Sequence, residues 1–354
     1  GDRYKLWRQD YKIPRKYGST QVLGECGGPG GSIHAFRIIP KVIEIVKDAE
    51  RICPKAFFIN YSNPMSRVCL AIKRATTNLK FIGLCHEIGH MEAYLVDMFK
   101  KKLSEMQIYT GGLNHFGFLL ALKDTRTEAD LMPEFNSMAL DYFNAHIDRF
   151  KFSDLSLEIY KKFRWFCYGG DNHMGEYVQF AEEFTKTQDM IDWIDRTDRE
   201  GNLRYKRTFK FYNDLKKGTY SKSGFLKKTA SGERAIPIIE SILLNKNSHE
   251  NAVNIPNEGV IDNLPQDLVI ECSVKVDKSG VHGIKLGNIP KSIASILQIE
   301  AAVQNLCVEA ILQKSSELAI TSLAIDPNLG NFKKAEAMFE EITSLQHEYL
   351  SYFK

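Results

Sequence analysis

The chain has 354 residues, 44% of them apolar and 26% charged, a globular composition that excludes a largely disordered chain or a fibrous repeat. That length corresponds to about two domains. A net charge of +3, from 47 basic and 44 acidic side chains, gives no global case for nucleic acid or an anionic membrane as partner.

Residues 1 to 31 are polar and turn-rich, ending in Gly27-Gly28-Pro29-Gly30-Gly31, which reads as a loop that permits close backbone approach. A helix follows, with Ile38, Ile39, Val42, Ile43, Ile45 and Val46 on its apolar side and Pro40 inside its first turns. Ala56 to Tyr61 is a short buried strand stopped by Ser62-Asn63-Pro64. Met65 to Ala75 is helical, Phe81 to Cys85 is the next strand, and Glu87 to Lys100 is an amphipathic helix. Gln107 to Thr110 forms another strand, with Asn114-His115 in the loop after it. Strands alternating with helices at this pitch predict βαβ units and a parallel sheet, in which ligands bind at the carboxyl ends of strands. Asn63, Cys85-His86 and Asn114-His115 are the polar residues delivered there.

From about Asp124 the chain opens with helices and carries Trp165 to His173. Residues 201 to 228 hold nine Lys or Arg and one acid, Asp214, with aromatics interleaved. A solvated helical face accounts for this segment better than a base-stacking surface. Pro256 to Val276 has strand alternation, and Ile289 to Leu323 is strongly helical. The longest apolar stretches, such as Phe116 to Leu122, fall far short of a membrane span. Seven scattered cysteines without a CxxC pair fit a reduced, cytoplasmic protein, and a metal site would have to recruit histidines or carboxylates as well.

His86-Glu87-Ile88-Gly89-His90 matches H-E-x-x-H, which in zinc peptidases places two imidazoles on one helix face with the Glu as general base. Here a turn and a strand precede the motif, so His86 falls at the helix start. The competing metal reading pairs Cys85 with His115, a thiolate and an imidazole from neighbouring strand ends that leave positions open for substrate oxygens.

Tyr61-Ser62-Asn63-Pro64-Met65, Gly83-Leu84-Cys85-His86-Glu87 and Gly111-Gly112-Leu113-Asn114-His115, in that order, resemble glycoside hydrolase family 4. Gly28-Pro29-Gly30-Gly31, Asn254 to Gly259 and Gly170 to Tyr177 look like further family text, so the resemblance covers nearly the whole chain. It implies an α/β fold with a dehydrogenase-like Rossmann domain over residues 1–120, its N-terminal half missing, and an α+β substrate and oligomerisation domain over 121–354. It also implies NAD and Mn2+ as cofactors, a homodimer or homotetramer, and no nucleic-acid or membrane partner. The implied chemistry oxidises the sugar at C3, removes the C2 proton, eliminates the glycosidic oxygen, adds water and returns the hydride. No carboxylate pair across the bond is needed.

By the same resemblance, Cys85 and His115 hold the metal, and His86 lies near it, touching sugar oxygens. Asn63 binds sugar hydroxyls beside the nicotinamide. Asp171 is the candidate base, Asn114 fixes the loop and contacts substrate, and Glu176 is as much a helix-surface residue as a ligand. Two departures stand out. No glycine-rich phosphate loop precedes Gly28, which implies weak NAD binding by residues 1–354, and Gly24-Glu25-Cys26 stands where relatives commonly show Gly-Asp-Thr. Cys85-His86-Glu87-Ile88 looks like the variant found in α-galacturonidases, so an α-linked galacturonide is the expected substrate. The rival readings are the zinc peptidase and a catalytically silent, sugar-binding relative.

Overall fold

Helix α1 (Arg3–Lys16) occupies part of the stretch that reads as loop in the sequence. Its buried positions Trp7, Asp10, Tyr11, Ile13 and Pro14 include a single aliphatic residue, Ile13, the others being aromatic, acidic and imino. The protein is described by a computed structural model, covering residues 3–150, 154–185, 187–219 and 232–354. Helix α2 (Gly28–Ile52) takes the glycine run into its own first turn, with Pro29 at the start, where a missing N–H costs nothing. Pro40 lies in mid-helix rather than in the first turns. Asp10 and Arg37 form a buried two-point ion pair between α1 and α2, and Arg37 also donates to Gln346 Oε1 at 2.8 Å.

The next elements are β1 (Phe57–Asn60), α3 (Met65–Ala75), β2 (Lys80–Gly83) and α4 (Ile88–Phe99). Then come β3 (Met106–Leu113), β4 (Phe116–Asp124), α5 (Met132–Phe150), α6 (Asp154–Phe163) and the single turn α7 (Asp171–Met174). Helix α8 (Thr187–Lys216) contains the described part of the basic segment and is mostly exposed from Asn202 on, as a solvated face should be; residues 220–228 lie outside the described residues. The chain continues through α9 (Ala235–Leu244), β5 (Ser248–Pro256), β6 (Val269–Asp277) and β7 (Gly280–Gly283). It closes with α10 (Lys291–Gln313), α11 (Ser316–Ala324), α12 (Phe332–Leu345) and α13 (His347–Leu350).

Among the described residues the strands form one sheet in the order β1-β2-β5-β6-β3-β4, with β7 on β6, and helices complete the α/β architecture. Only β1 and β2 are parallel; β5 is antiparallel to β2, and β3 is antiparallel to both β6 and β4. The predicted parallel sheet therefore stops at β2. The next neighbour of β2 is the antiparallel β5, and β3 and β4 are joined by the two-residue turn Asn114-His115, a connection so short that it joins only antiparallel strands.

Helix α10 is long and apolar enough to cross a membrane by length and composition, which the sequence reading did not recognise, but 50% of its most apolar window is buried in the fold. Ile293, Leu297 and Ala301 pack in the core cluster under β5 and β6, while Cys307, Val308 and Ile311 pack in a second one with α2 and α3.

Candidate metal centre and substrate cavity

The β3–β4 turn is held by buried polar partners. Asn114 Nδ2 donates to Glu271 Oε1 at 2.9 Å, and Tyr177 Oη donates to the Asn114 carbonyl at 3.1 Å. Glu271, on β6, also accepts from Asn254 Nδ2 at 2.9 Å and Tyr168 Oη at 2.8 Å. Burial pushes its carboxyl upward, against the lowering effect of these donors and of the His115 field. His115 takes the left-handed conformation, φ 62°, and Gly169 lies against its carbonyl so closely that a Cβ there would be 2.2 Å away. Both the side chain and the carbonyl of Asn114 are engaged in these bonds, and His115 is buried.

Cys85 follows β2 and places Sγ 3.0 Å from Nε2 of His115, thirty positions on. Glu87 faces the same point: Oε1 accepts from the Gly170 N–H at 2.7 Å, while Oε2 is 3.5 Å from His115 Nε2. Cys26, His115 and His173 also converge, each with one ligand atom within 4.8 Å of the others. Cys85 touches this trio through His115. Glu87 Oε2 and the Nδ1 atoms of His115 and His173 are buried without hydrogen-bond partners. A buried thiol, an imidazole and an unpartnered carboxylate oxygen at close quarters, Cys85, His115 and Glu87, fit a divalent transition metal.

Burial, with Glu271 and Glu87 adding to it, pushes the Cys85 thiol up to about 12, and burial raises Cys26 further. A bound cation would reverse that, since a coordinating thiol is deprotonated outright. For His173, burial and His115 lower the pKa, but Glu176 and Glu87 outweigh them and the net shift is upward.

His86 and His90 are not part of this convergence. Both are exposed, and α4 begins only at Ile88, so the H-E-x-x-H pattern does not present two imidazoles to one point. His86 has its Nδ1 3.6 Å from Glu233 Oε1. Asp171 is also elsewhere engaged. Its carboxylate accepts from the Leu155 and Ser156 N–H groups at 2.9 Å and from the Ser156 hydroxyl, closing the N-terminus of α6. Burial raises its pKa, against these bonds. Glu176 is fully buried, not a helix-surface residue; Oε2 accepts from the Cys26 and Gly27 N–H groups, and Oε1 is 3.3 Å from His173 Nδ1.

Asn63 is half-buried and lines a cavity of about 1010 Å³, together with Tyr61, Glu25, His34, Arg37 and Lys41. Glu25 connects this cavity to the metal-ligand cluster: burial pushes its carboxyl up, but the fields of His173, His34, Arg3 and His115 bring it below the usual value. Glu25 Oε1 also accepts from Arg3 at 3.2 Å in the cavity wall. The sequence put Glu25 at a site-facing position as a departure from the family text, and gave Cys26 and His173, which stand in the quoted segments, no role.

Two models describe the chain: "Family 4 glycosyl hydrolase" matches residues 1–101, and "Family 4 glycosyl hydrolase C-terminal domain" matches residues 110–329. The chain belongs to glycosyl hydrolase family 4. An α-glucosidase of Erwinia rhapontici is 33% identical over 100% of this chain and 81% of its own length. An α-galacturonidase of Thermoanaerobacter italicus is 25% identical over 96% of this chain and 78% of its own length. Among solved structures, a 6-phospho-α-glucosidase from gut microorganisms in complex with NAD and Mn2+ superposes with a TM-score of 0.80. It is 21% identical, and the match covers 98% of this chain and 79% of that one. Membership in this family, together with the exposure of His86 and His90, overturns the zinc-peptidase reading.

Proposed function

We propose that this family 4 member cleaves an α-glycoside at a divalent metal held by Cys85 and His115, with the sugar seated in the cavity that Asn63 and Glu25 line. The observation that carries this is the 3.0 Å approach of Cys85 Sγ to His115 Nε2, beside the unpartnered, buried Oε2 of Glu87. The metal supplies Lewis acidity to hydroxyl oxygens of the bound sugar. Asn63 offers an amide to the hydroxyls, and the exposed His86, next to Cys85, is available to sugar oxygens. Glu25 takes the proton-moving role expected of Asp171, because Glu25 faces the cavity whereas both Asp171 oxygens cap α6. Glu87 and Glu271 position His115 and its turn.

Mn2+ and NAD are bound by the 21%-identical solved relative. The donor set around His115 suits a divalent metal. The diphosphate of a dinucleotide does not fit the start of α2: the Cys26 and Gly27 amides are taken by Glu176, and the Gly30 amide donates to Gln21 Oε1 at 2.7 Å. A Cβ on Gly27 would lie 2.6 Å from Tyr177, so this glycine run serves protein packing.

Cys85-His86-Glu87-Ile88 favours a galacturonide, and Lys47 stands in the cavity wall beside Arg3, paired with Glu25, and Lys41, paired with Glu44. The 33% identity to an α-glucosidase favours a glucoside. A panel of α-linked galacturonide, glucoside, galactoside and 6-phosphoglucoside, with NAD, Mn2+ and reductant present, decides between them. Faster turnover of the glucoside would overturn the galacturonide assignment, and no turnover of any member would overturn the enzymatic reading.

A further inference from the structure

Helix α2 turns one face to the cavity, and His34, Arg37, Lys41 and Glu44 recur along it at helical spacing. Three of the four are committed within the protein. Arg37 donates to Asp10, Gln346 and the Ile33 carbonyl, and Lys41 pairs with Glu44. His34 is committed at one nitrogen: its Nδ1 lies 3.0 Å from the Glu25 carbonyl. A carbonyl oxygen has no proton to give, so Nδ1 carries the hydrogen and donates it. The lone pair of the neutral ring is then on Nε2, which makes no hydrogen bond among the described residues and is not one of the unpartnered atoms sealed from solvent. Burial and the Arg37 guanidinium lower the imidazole's pKa, outweighing Asp10 and Glu25, so the ring is neutral. Its support is rigid: the neighbouring Ile33 and Ala35 are fully buried, and the Cys26 amide that follows the Glu25 carbonyl is held by Glu176.

We propose that His34 binds the glycoside directly, its Nε2 accepting a hydrogen bond from one sugar hydroxyl while the Glu25 carbonyl fixes the ring through Nδ1. The inference rests on the reading that the sugar sits in the cavity lined by Asn63 and Glu25, and adds a specificity-determining residue to it. The chemistry at this point of the wall is one-sided. Glu25 and a neutral Nε2 both accept hydrogen bonds, so they match hydroxyl groups, which can donate. A carboxylate or phosphate group of the ligand has no proton to offer and is turned away from this end of the cavity. A sugar that lacks the matching hydroxyl loses the bond and gains nothing in its place.

The test uses the full chain, labelled with 15N in its histidine rings and asparagine amides, with Mg2+ present as a diamagnetic divalent ion. The His34 ring is assigned by its absence from the spectrum of His34→Gln, and the Asn63 amide by its absence from that of Asn63→Ala. The free protein should show His34 protonated on Nδ1 and bare on Nε2; the opposite tautomer would overturn the proposal. The probes are methyl α-D-glucopyranoside, methyl α-D-galacturonide and the monodeoxy congeners of each. A parent sugar should move the Nε2 resonance of His34 towards that of a hydrogen-bonded nitrogen and leave Nδ1 in place, and one deoxy congener should fail to do so. His34→Leu should bind the parent about three- to tenfold more weakly than the wild type does, yet bind that one congener equally well. A weakening shared by every congener would mean a structural role and defeat the proposal. If a sugar moves the Asn63 amide but not His34 Nε2, the proposal is wrong and the cavity reading stands. If the sugars move neither, the cavity reading falls and the proposal falls with it.

Discussion

Cys85 and His115 meet at 3.0 Å although thirty positions separate them, because β2 ends beside the β3–β4 turn in one sheet. If this pair holds the functional metal, Cys85→Ser or His115→Ala should abolish metal-dependent glycoside turnover. His90→Ala, on the exposed side of α4, should change it less than about twofold, since surface substitutions away from such features move stability by only ~0.5 kcal/mol. Steady-state rates at saturating metal check this; loss of activity in His90→Ala alone would point back to the H-E-x-x-H motif.

Asp171 is assigned a structural role by its three donors. Asp171→Asn should lower unfolding free energy by about 1–2 kcal/mol, in the range of a lost helix cap, while leaving metal content unchanged. Urea unfolding with parallel metal analysis measures both. Unchanged stability with loss of all turnover would restore Asp171 as the base.

The Asp10–Arg37 pair, with side chains 1% and 7% exposed, ties α1 to α2. Asp10→Ala leaves Arg37 charged, buried and with only Gln346 and the Ile33 carbonyl as partners. The expected cost is about 3–5 kcal/mol, read by denaturant midpoint. A change smaller than a surface substitution would mean that α1 is not docked as described.

A buried cluster sets an expected pH dependence. Arg67 pairs with Glu300 at 3.1 Å, and Asp326 lies in the same field. Burial raises the Glu300 and Asp326 carboxyls above their ordinary values, despite Arg67. Between the ordinary and the raised values the folded chain binds more protons than the unfolded one, so this contribution to stability falls as pH rises through that window. Thermal melts of the wild type across the neutral range should show the decline, and Glu300→Gln should flatten it. An equally steep decline in the variant would place its source elsewhere.

Helices α2, α3 and α4 and strands β1 and β2 were legible in the sequence because aliphatic residues recur in them at the right period. Helix α1 was not, because among its buried residues Trp7, Asp10, Tyr11, Ile13 and Pro14 only Ile13 is aliphatic. The antiparallel course of β3 depends on β6, more than 150 positions away, and no local pattern announces that pairing. Within the candidate site, the nearness of Cys85 and His115 was foreseen from the order of motifs rather than from spacing. Glu271 left a local signal that went unread: it is a lone acid in the apolar run Val269 to Val274. Cys26 and His173 left none, since what joins them is the Glu176 carboxylate reaching back to the Cys26 amide.

The most direct test of the account is metal removal and return in a glycosidase assay. Protein stripped by a chelator is assayed on the α-glycoside panel with NAD and reductant at saturating concentrations, before and after Mn2+ is added back. The account predicts no turnover by the stripped protein, recovery with Mn2+, and no recovery in Cys85→Ser or His115→Ala. Glycoside cleavage that persists after complete metal removal would contradict it.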